Sequence, residues 1–187
     1  VALGGVVVLP CFVKSCAGFF GEDPKTSLFA AVSYPLGGDT LKVMRCAVRR
    51  AVSDGADGVE LCMLSYPSAE GEFAPFRRKL KSLRRAAYPR EFRLVVDCSR
   101  VGEDALVKVA LCAAECGVNC IRLKNASGLS ALARVSSALR GKAAIKADCA
   151  SFEDAEELFV LGASFVSFPR AAEVCKERLA SAMDPGI

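Results

Sequence analysis

The sequence predicts an α/β fold: one domain over residues 1–187 that forms a parallel (β/α) barrel of the TIM type. Short apolar runs alternate with longer amphipathic segments along the whole chain. The order helix end, glycine, strand recurs at residues 54–59, 115–121 and 161–166. Repeated joints of this kind favour parallel strands linked by crossover helices, and a length of 187 residues suits one domain.

The composition restricts the class of protein. Apolar residues make up 52% of the chain, yet no uninterrupted apolar run reaches the roughly 20 residues of a membrane helix. The first residues lack the basic segment of a secretory signal. Ten cysteines occur without a Cys-x-x-Cys pair and without any histidine, so we interpret them as buried free thiols rather than a zinc site. We therefore expect a cytoplasmic protein without membrane contact.

Seven apolar runs predict seven strands. They cover residues 5–9, 28–32, 58–63, 92–98, 119–124, 143–148 and 164–168. A closed (β/α) barrel needs eight strands, and residues 1–5 resemble the end of a helix. We therefore expect either that the first strand and helix are missing upstream or that the barrel closes in an unusual way.

Six amphipathic segments predict the helices that connect these strands. They cover residues 39–53, 70–87, 103–116, 130–139, 152–161 and 171–182. Thr40 and Ser151 place side-chain oxygens at two helix starts. Gly55, Gly117 and Gly162 follow helix ends, where a glycine readily adopts the left-handed conformation.

The third predicted helix carries a dense run of basic residues at 77–85. Phe76, Leu80, Leu83 and Ala87 form one apolar stripe, and the basic residues cover the rest of the helix. No aromatic residues interleave with the charges, so we favour a solvated helix face and expect no nucleic-acid partner. Contact with nucleic acid or another anionic surface is the alternative.

Charged residues recur at one parity of the predicted strands. The aliphatic residues at the other parity should face the helices, so the charged ones point into the barrel near the strand C-termini. This set comprises Glu60, Asp97, Arg122, Lys124, Lys146 and Asp148. Burying ions costs several kcal/mol each unless they are well paired, so a functional site is favoured over salt-bridged filler.

The chemistry of such a site is limited by the residue types present. There is no histidine for a Ser or Cys triad, and nearby cations would oppose a hard metal ion. Two lysines in one pocket suggest a different reaction. A neighbouring positive charge and partial burial lower the pKa of an amine, which can then form an imine with a carbonyl group. This chemistry needs neither a metal nor an organic cofactor.

Several phrases in this order resemble the deoxyribose-phosphate aldolase family. Residues 6–13 resemble its second strand and the turn that follows, and residues 31–40 resemble its phrase of apolar strand, Gly-Phe-Pro-Leu-Gly and helix cap. Residues 54–61 resemble a strand that carries the family's catalytic Asp, which falls on Glu60. The likeness implies a (β/α) barrel that splits 2-deoxyribose 5-phosphate into acetaldehyde and glyceraldehyde 3-phosphate.

The resemblance leaves two positions open for the imine-forming lysine. Residues 123–130 resemble the family phrase Lys-Thr-Ser-Thr-Gly and place Lys124 at the nucleophile. An ungapped count from Gly117 instead places Arg122 there, and arginine cannot lose its proton to form an imine. The family's second lysine, which perturbs the first, falls on Lys146. With Lys124 as nucleophile, Glu60 would relay protons, with Asp97 or water assisting.

The phosphate-binding turns depart from the family pattern. The resemblance implies anion binding by Ser127 and Gly128. In the last turn Pro169 removes a backbone donor, while Arg170 offers a guanidinium group instead. The expected partner is a small aldehyde or sugar phosphate, and the family likeness implies a homodimer. Two alternatives stay open: a catalytically silent barrel that serves in binding or as a scaffold, and imine chemistry on an unphosphorylated aldehyde.

Overall fold

A single parallel β-sheet forms the centre of the molecule. A computed structural model describes residues 4–20, 26–126, 129–149, 151–168 and residue 173. The strands of the sheet are β1 (Gly5–Val8), β2 (Ser27–Val32), β3 (Gly58–Cys62), β4 (Glu91–Asp97), β5 (Cys120–Lys124), β6 (Ala144–Asp148) and β7 (Phe165–Ser167). Each strand pairs in parallel with the next, in the order of the sequence.

The sheet curls into a half-barrel with helices between the strands, which confirms the predicted parallel α/β fold of the TIM type. All seven predicted strands are present, with bounds that differ by at most two residues at each end. Because all strands run in the same direction, their C-terminal ends meet at one rim. The residues that follow β2 to β6 therefore surround a common opening.

Within the part of the chain that the structure describes, six α-helices cover the outside of the sheet. They are α1 (Val13–Phe20), α2 (Leu41–Ser53), α3 (Ala74–Ala87), α4 (Glu103–Glu115), α5 (Leu129–Leu139) and α6 (Phe152–Val160). Helix α1 was not predicted. Helix α3 begins four residues later than predicted because a turn between Ser68 and Gly71 precedes it, with Pro75 in its first turn. The predicted helix at 171–182 lies outside the described residues, apart from residue 173.

The apolar parity of the strands packs against these helices. Val59 and Leu61 of β3 are fully buried, as is the predicted stripe of α3 that includes Leu80 and Leu83. Five of the nine described cysteines are buried as predicted, but Cys11 and Cys46 are exposed. Within the described ranges, no helix is long and apolar enough to cross a membrane. The same ranges contain no group of three or more His, Cys, Asp or Glu residues that could bind a metal ion.

Gly37 fastens the loop after β2 to the loop after β3. Its φ is +76°, and its carbonyl accepts a hydrogen bond from the backbone N–H of Leu64 at 3.1 Å. A Cβ at this position would collide with the backbone of Met63 and Leu64. The rim beside the opening is therefore built around a residue without a side chain.

We expect Gly37→Ala to lower the free energy of unfolding by more than about 1 kcal/mol. The left-handed conformation is unfavourable for alanine, and the added Cβ would displace the Met63 backbone. Urea unfolding followed by circular dichroism measures this. Gly38→Ala is the matched control, since nothing lies within 4 Å of a Cβ there, and it should change stability by less than about 0.5 kcal/mol. Equal effects of the two substitutions would contradict the assigned role of Gly37.

Candidate active site

Glu60 lies at the centre of the charged layer inside the half-barrel. It is on β3, and only 2% of its surface is exposed. Arg122 Nη1 donates a hydrogen bond to its Oε1 at 2.7 Å, and Lys146 Nζ donates one to its Oε2 at 2.8 Å. Both carboxylate oxygens are thus paired with cations from β5 and β6.

Arg122 joins this carboxylate to a second one. Its Nε and Nη2 lie 2.9 and 2.7 Å from Asp148 Oδ1 on β6. Glu60, Arg122, Lys146 and Asp148, which we call the Glu60 cluster, therefore carry two positive and two negative charges. This pairing offsets most of the cost of burying the two members that are buried, Glu60 and Lys146.

The cluster favours the ionised forms of Glu60 and Arg122. Burial raises the pKa of Glu60, but the charges and hydrogen bonds of Lys146 and Arg122 outweigh it, so the pKa falls below the ordinary value of 4.5. For Arg122, burial lowers the pKa, and the two carboxylates raise it further than burial lowers it. Arg122 is therefore a permanent cation in this structure.

The lowered pKa of Glu60 gives stability a defined pH dependence. The contribution of the carboxylate should be present above pH 4.5, the ordinary pKa of glutamate, and should be lost as pH falls towards the lower folded-state pKa. Urea unfolding at a series of pH values between about 3 and 7 measures this. The slope below pH 4.5 should be smaller in Glu60→Gln. An identical slope in the variant would mean that other carboxylates determine acid unfolding.

Lys124 lies outside the Glu60 cluster. It is two residues beyond Arg122 on β5, half-buried, and its Nζ lies 5.9 Å from the centroid of the Tyr34 ring. In the described part of the chain, no hydrogen bond or ion pair holds its amine. The sheet register pairs it with Asp97 of β4, whereas Arg122 pairs directly with Lys146. Arg122, rather than Lys124, is the strand neighbour of Lys146.

Asp97 forms a separate group of contacts at the end of β4. Its Oδ1 accepts hydrogen bonds from the backbone N–H and the hydroxyl of Ser99 and from Asn125 Nδ2, at 3.2, 2.7 and 3.1 Å. Burial raises its pKa, but these hydrogen bonds and the charge of Lys124 together lower it. Asp97 is therefore an ionised carboxylate that caps the short turn at Cys98–Arg100.

The thiol of Cys62, near the Glu60 cluster, is unreactive as a nucleophile at neutral pH. Cys62 lies on β3 at the same parity as Glu60 and is buried. Burial and the charge of Glu60 raise the pKa of its thiol to about 11. A thiol that stays protonated at neutral pH is a poor nucleophile.

Sequence reasoning missed Arg93, which is buried inside the half-barrel, and Tyr34, which is exposed at its rim. Arg93 of β4 is buried, with its guanidinium 3.5 Å from the centroid of the Phe29 ring and its Nε bonded to Glu91 at 2.7 Å. It has the same parity as Asp97, so the alternation rule could have found it. Tyr34 lies in a turn after β2, where strand parity gives no information. The predicted anion-binding residues Ser127, Gly128 and Arg170 lie outside the described residues.

A comparison with curated proteins identifies a homologue of this chain. No protein-family model matches the chain. It is 24% identical over 139 residues to the deoxyribose-phosphate aldolase of Syntrophotalea carbinolica. The aligned region covers 74% of this chain and 62% of that protein. The chain therefore has a homologue among the deoxyribose-phosphate aldolases. It spans less than two thirds of the length of this family member.

Solved aldolase structures share the fold. The structure of the aldolase QR15 superposes with a TM-score of 0.85 at 20% identity, over 98% of this chain and 85% of QR15. The deoxyribose-phosphate aldolase of Aeropyrum pernix, described as a tetramer, superposes with a TM-score of 0.79 at 17% identity, over 94% and 77% of the two chains. These likenesses support the half-barrel as an aldolase-type fold.

Proposed function

We propose that this chain is an aldolase-like barrel that binds a small sugar phosphate or related aldehyde without forming an imine. The observation that carries the proposal is the pairing of Arg122 with Lys146 in the sheet, with both side chains bonded to Glu60. In the aldolase family two lysines act together, and the second perturbs the first. Here the cation beside Lys146 is an arginine, which also fits the ungapped count from Gly117.

An imine requires an uncharged amine, and the Glu60 cluster does not supply one. Arg122 cannot release a proton. The amine of Lys146 lies in an ion pair of 2.8 Å with a carboxylate that is itself buried. If the Lys146 amine attacked a substrate carbonyl, this pair would break and Glu60 would keep one partner instead of two, which is costly in a buried site. The cluster therefore holds charges in fixed positions instead of providing a nucleophile.

The same residues support non-covalent recognition. Arg122 keeps 19% of its side chain exposed and Asp148 keeps 32%, so both reach the opening at the strand C-termini. A guanidinium group binds phosphate or carboxylate oxygens through paired hydrogen bonds, and carboxylates accept hydrogen bonds from sugar hydroxyls. Lys124, beside the Tyr34 ring, adds a second cation at this rim.

Titration with 2-deoxyribose 5-phosphate tests the proposal. Isothermal calorimetry should show saturable binding, dialysis should remove the ligand completely, and the protein should release no acetaldehyde from it. Lys124→Met should weaken binding without unfolding the chain, because the Lys124 amine has no ion pair to lose. Release of acetaldehyde by the wild-type chain, at a rate that depends on Lys124, would contradict the proposal.

An imine-forming enzyme that uses Lys124 is the second candidate. Its supporting observation is that this amine is half-buried at the rim and carries no ion pair within the described residues, so an aldehyde could reach it. On this view Asp97 would relay protons. Reduction with borohydride in the presence of acetaldehyde separates the candidates, because only an imine becomes a stable adduct, and Lys124→Met would abolish it.

A further inference from the structure

Helices α2 and α3 form a surface that contains cations and no carboxylates. The two helices pack against each other on the outer side of β2 to β4. Together they carry ten of the 25 basic residues of the chain and none of its 21 acidic residues, so the remainder has 15 basic residues against all 21 acidic ones. The positive charge of this protein is thus concentrated on one face and exceeded by negative charge elsewhere.

Most of these cations lack an ion-pair partner. Arg50 pairs with Asp54, and Arg77 pairs with Glu115. Five exposed cations form no ion pair with any described residue, and we call them the basic surface: Lys42, Arg49, Arg78, Lys81 and Arg85. A surface of like charges without counter-charges attracts an anionic partner.

Two further cations on these helices are half-buried instead of fully solvated. Arg45 Nε is buried and has no hydrogen-bond partner among the described residues. Burial also lowers the pKa of Lys79. A buried donor without an acceptor is costly. This distinguishes the pair α2–α3 from an ordinary solvated helix face.

Helix α6 has the opposite character. Its nine residues include Glu153, Asp154, Glu156 and Glu157 and no cation. Asp154, Glu156 and Glu157 are exposed, and none of them forms an ion pair with a described residue. At the end of the helix, Val160 is 87% exposed, which is unusual for a large apolar residue.

The two surfaces are far apart within one copy of the chain. Helix α6 packs beside β7, whereas α2 and α3 pack against β2 to β4, and helices α4 and α5 lie between them in the chain. They therefore do not neutralise each other within one copy. With a rise of 1.5 Å per residue, α6 is about 13 Å long and α2 and α3 are about 20 Å long, so one α6 fits along the helix pair.

We propose that the basic surface on α2 and α3 binds the acidic helix α6 of a second copy of this chain. The exposed aromatic groups that stack on single-stranded nucleic acid are absent from α2 and α3, whose one aromatic residue, Phe76, is buried. Helix α6 provides the carboxylates that the basic surface lacks, and Val160 can bury its side chain in the contact. The inference rests on surface charge and does not depend on the chemistry of the barrel interior.

Sedimentation velocity of the full chain at two salt concentrations tests this proposal. At about 0.01 M salt the Debye length is about 30 Å, and we expect dimers or larger species; at about 1 M it is about 3 Å, and we expect monomers. The double substitution Lys81→Glu with Arg85→Glu should abolish association at low salt. Glu156→Lys with Glu157→Lys should abolish it equally.

The decisive sample is a mixture of these two variants. Each variant alone keeps only one of the two surfaces intact, but the unchanged basic surface of the α6 variant can bind the unchanged α6 of the α3 variant, so the mixture should associate again. Lys14→Glu with Lys142→Glu changes the net charge by the same amount as the α3 variant, at exposed positions outside both surfaces, and should associate like the wild type. Association that ignores salt or the α6 substitutions would overturn the proposal. The proposal would also be overturned if the wild type stayed monomeric and bound short duplex DNA at low salt, because the basic surface would then bind a phosphate backbone.

Discussion

If residue 122 occupies the nucleophile position, replacing Arg122 by lysine should create an imine-forming site there. The new amine would lie beside Lys146 in the sheet and near the Glu60 carboxylate. It would replace a cation that cannot deprotonate with one that can, in a partly buried position next to another positive charge. Incubation with acetaldehyde and borohydride should convert most of the Arg122→Lys protein into a single ethyl adduct, detected by intact mass spectrometry.

Two controls make this result specific. Arg122→Gln removes the same guanidinium group without adding an amine, so its mass should stay unchanged. Arg122→Lys combined with Lys146→Met removes the neighbouring charge and should reduce the rate of adduct formation by at least about tenfold, one pKa unit being a factor of ten in the neutral amine. If Arg122→Lys forms no adduct while it stays folded, residue 122 is not at the nucleophile position of the family.

Replacing Glu60 by alanine should cause the largest loss of stability among single substitutions in the site. It would leave Lys146 and Arg122 as neighbouring cations without their shared carboxylate, in a region from which water is largely excluded. Breaking a buried ion pair from one side costs about 3–5 kcal/mol. For a chain of this size the melting temperature should fall by roughly 2–4 °C per kcal/mol, which differential scanning calorimetry can measure.

Glu115→Ala is the matched control for this effect. Glu115 forms an ion pair of the same length, 2.8 Å, with Arg77, but half of its side chain is exposed. Exposed pairs contribute about 0–1 kcal/mol, so the control should leave the melting temperature almost unchanged. A Glu60→Ala variant as stable as the Glu115→Ala variant would show that the Glu60 cluster is well solvated in solution.

The strand positions and the inward parity could be predicted from the sequence because both follow from a period of two. In four of the predicted strands, aliphatic residues alternate with charged ones, and the structure directs Glu60, Arg122 and Lys146 to the inner face of the sheet. The homology to the aldolases was also predicted from phrases such as residues 31–40. These features are local, so they do not depend on how the strands are aligned with each other.

The contacts among the charged residues could not be predicted in the same way. Arg122 and Lys124 have the same parity, and only the register of β5 against β6 determines which of them is adjacent to Lys146. Register is set by packing along the whole sheet. The position of Tyr34 over Lys124 depends on a turn in which Ser33 has a φ of 61°, which no strand or helix pattern indicates. Helix α1 was missed because Gly18 interrupts its short amphipathic pattern.

Borohydride reduction of the unmodified chain in the presence of acetaldehyde, followed by intact mass and peptide mapping, distinguishes non-covalent binding from imine formation. The structure places Arg122 beside Lys146 and engages the Lys146 amine with Glu60, so the mass should remain unchanged. A stoichiometric adduct that maps to Lys124 or Lys146 would contradict this account and would establish an imine-forming enzyme.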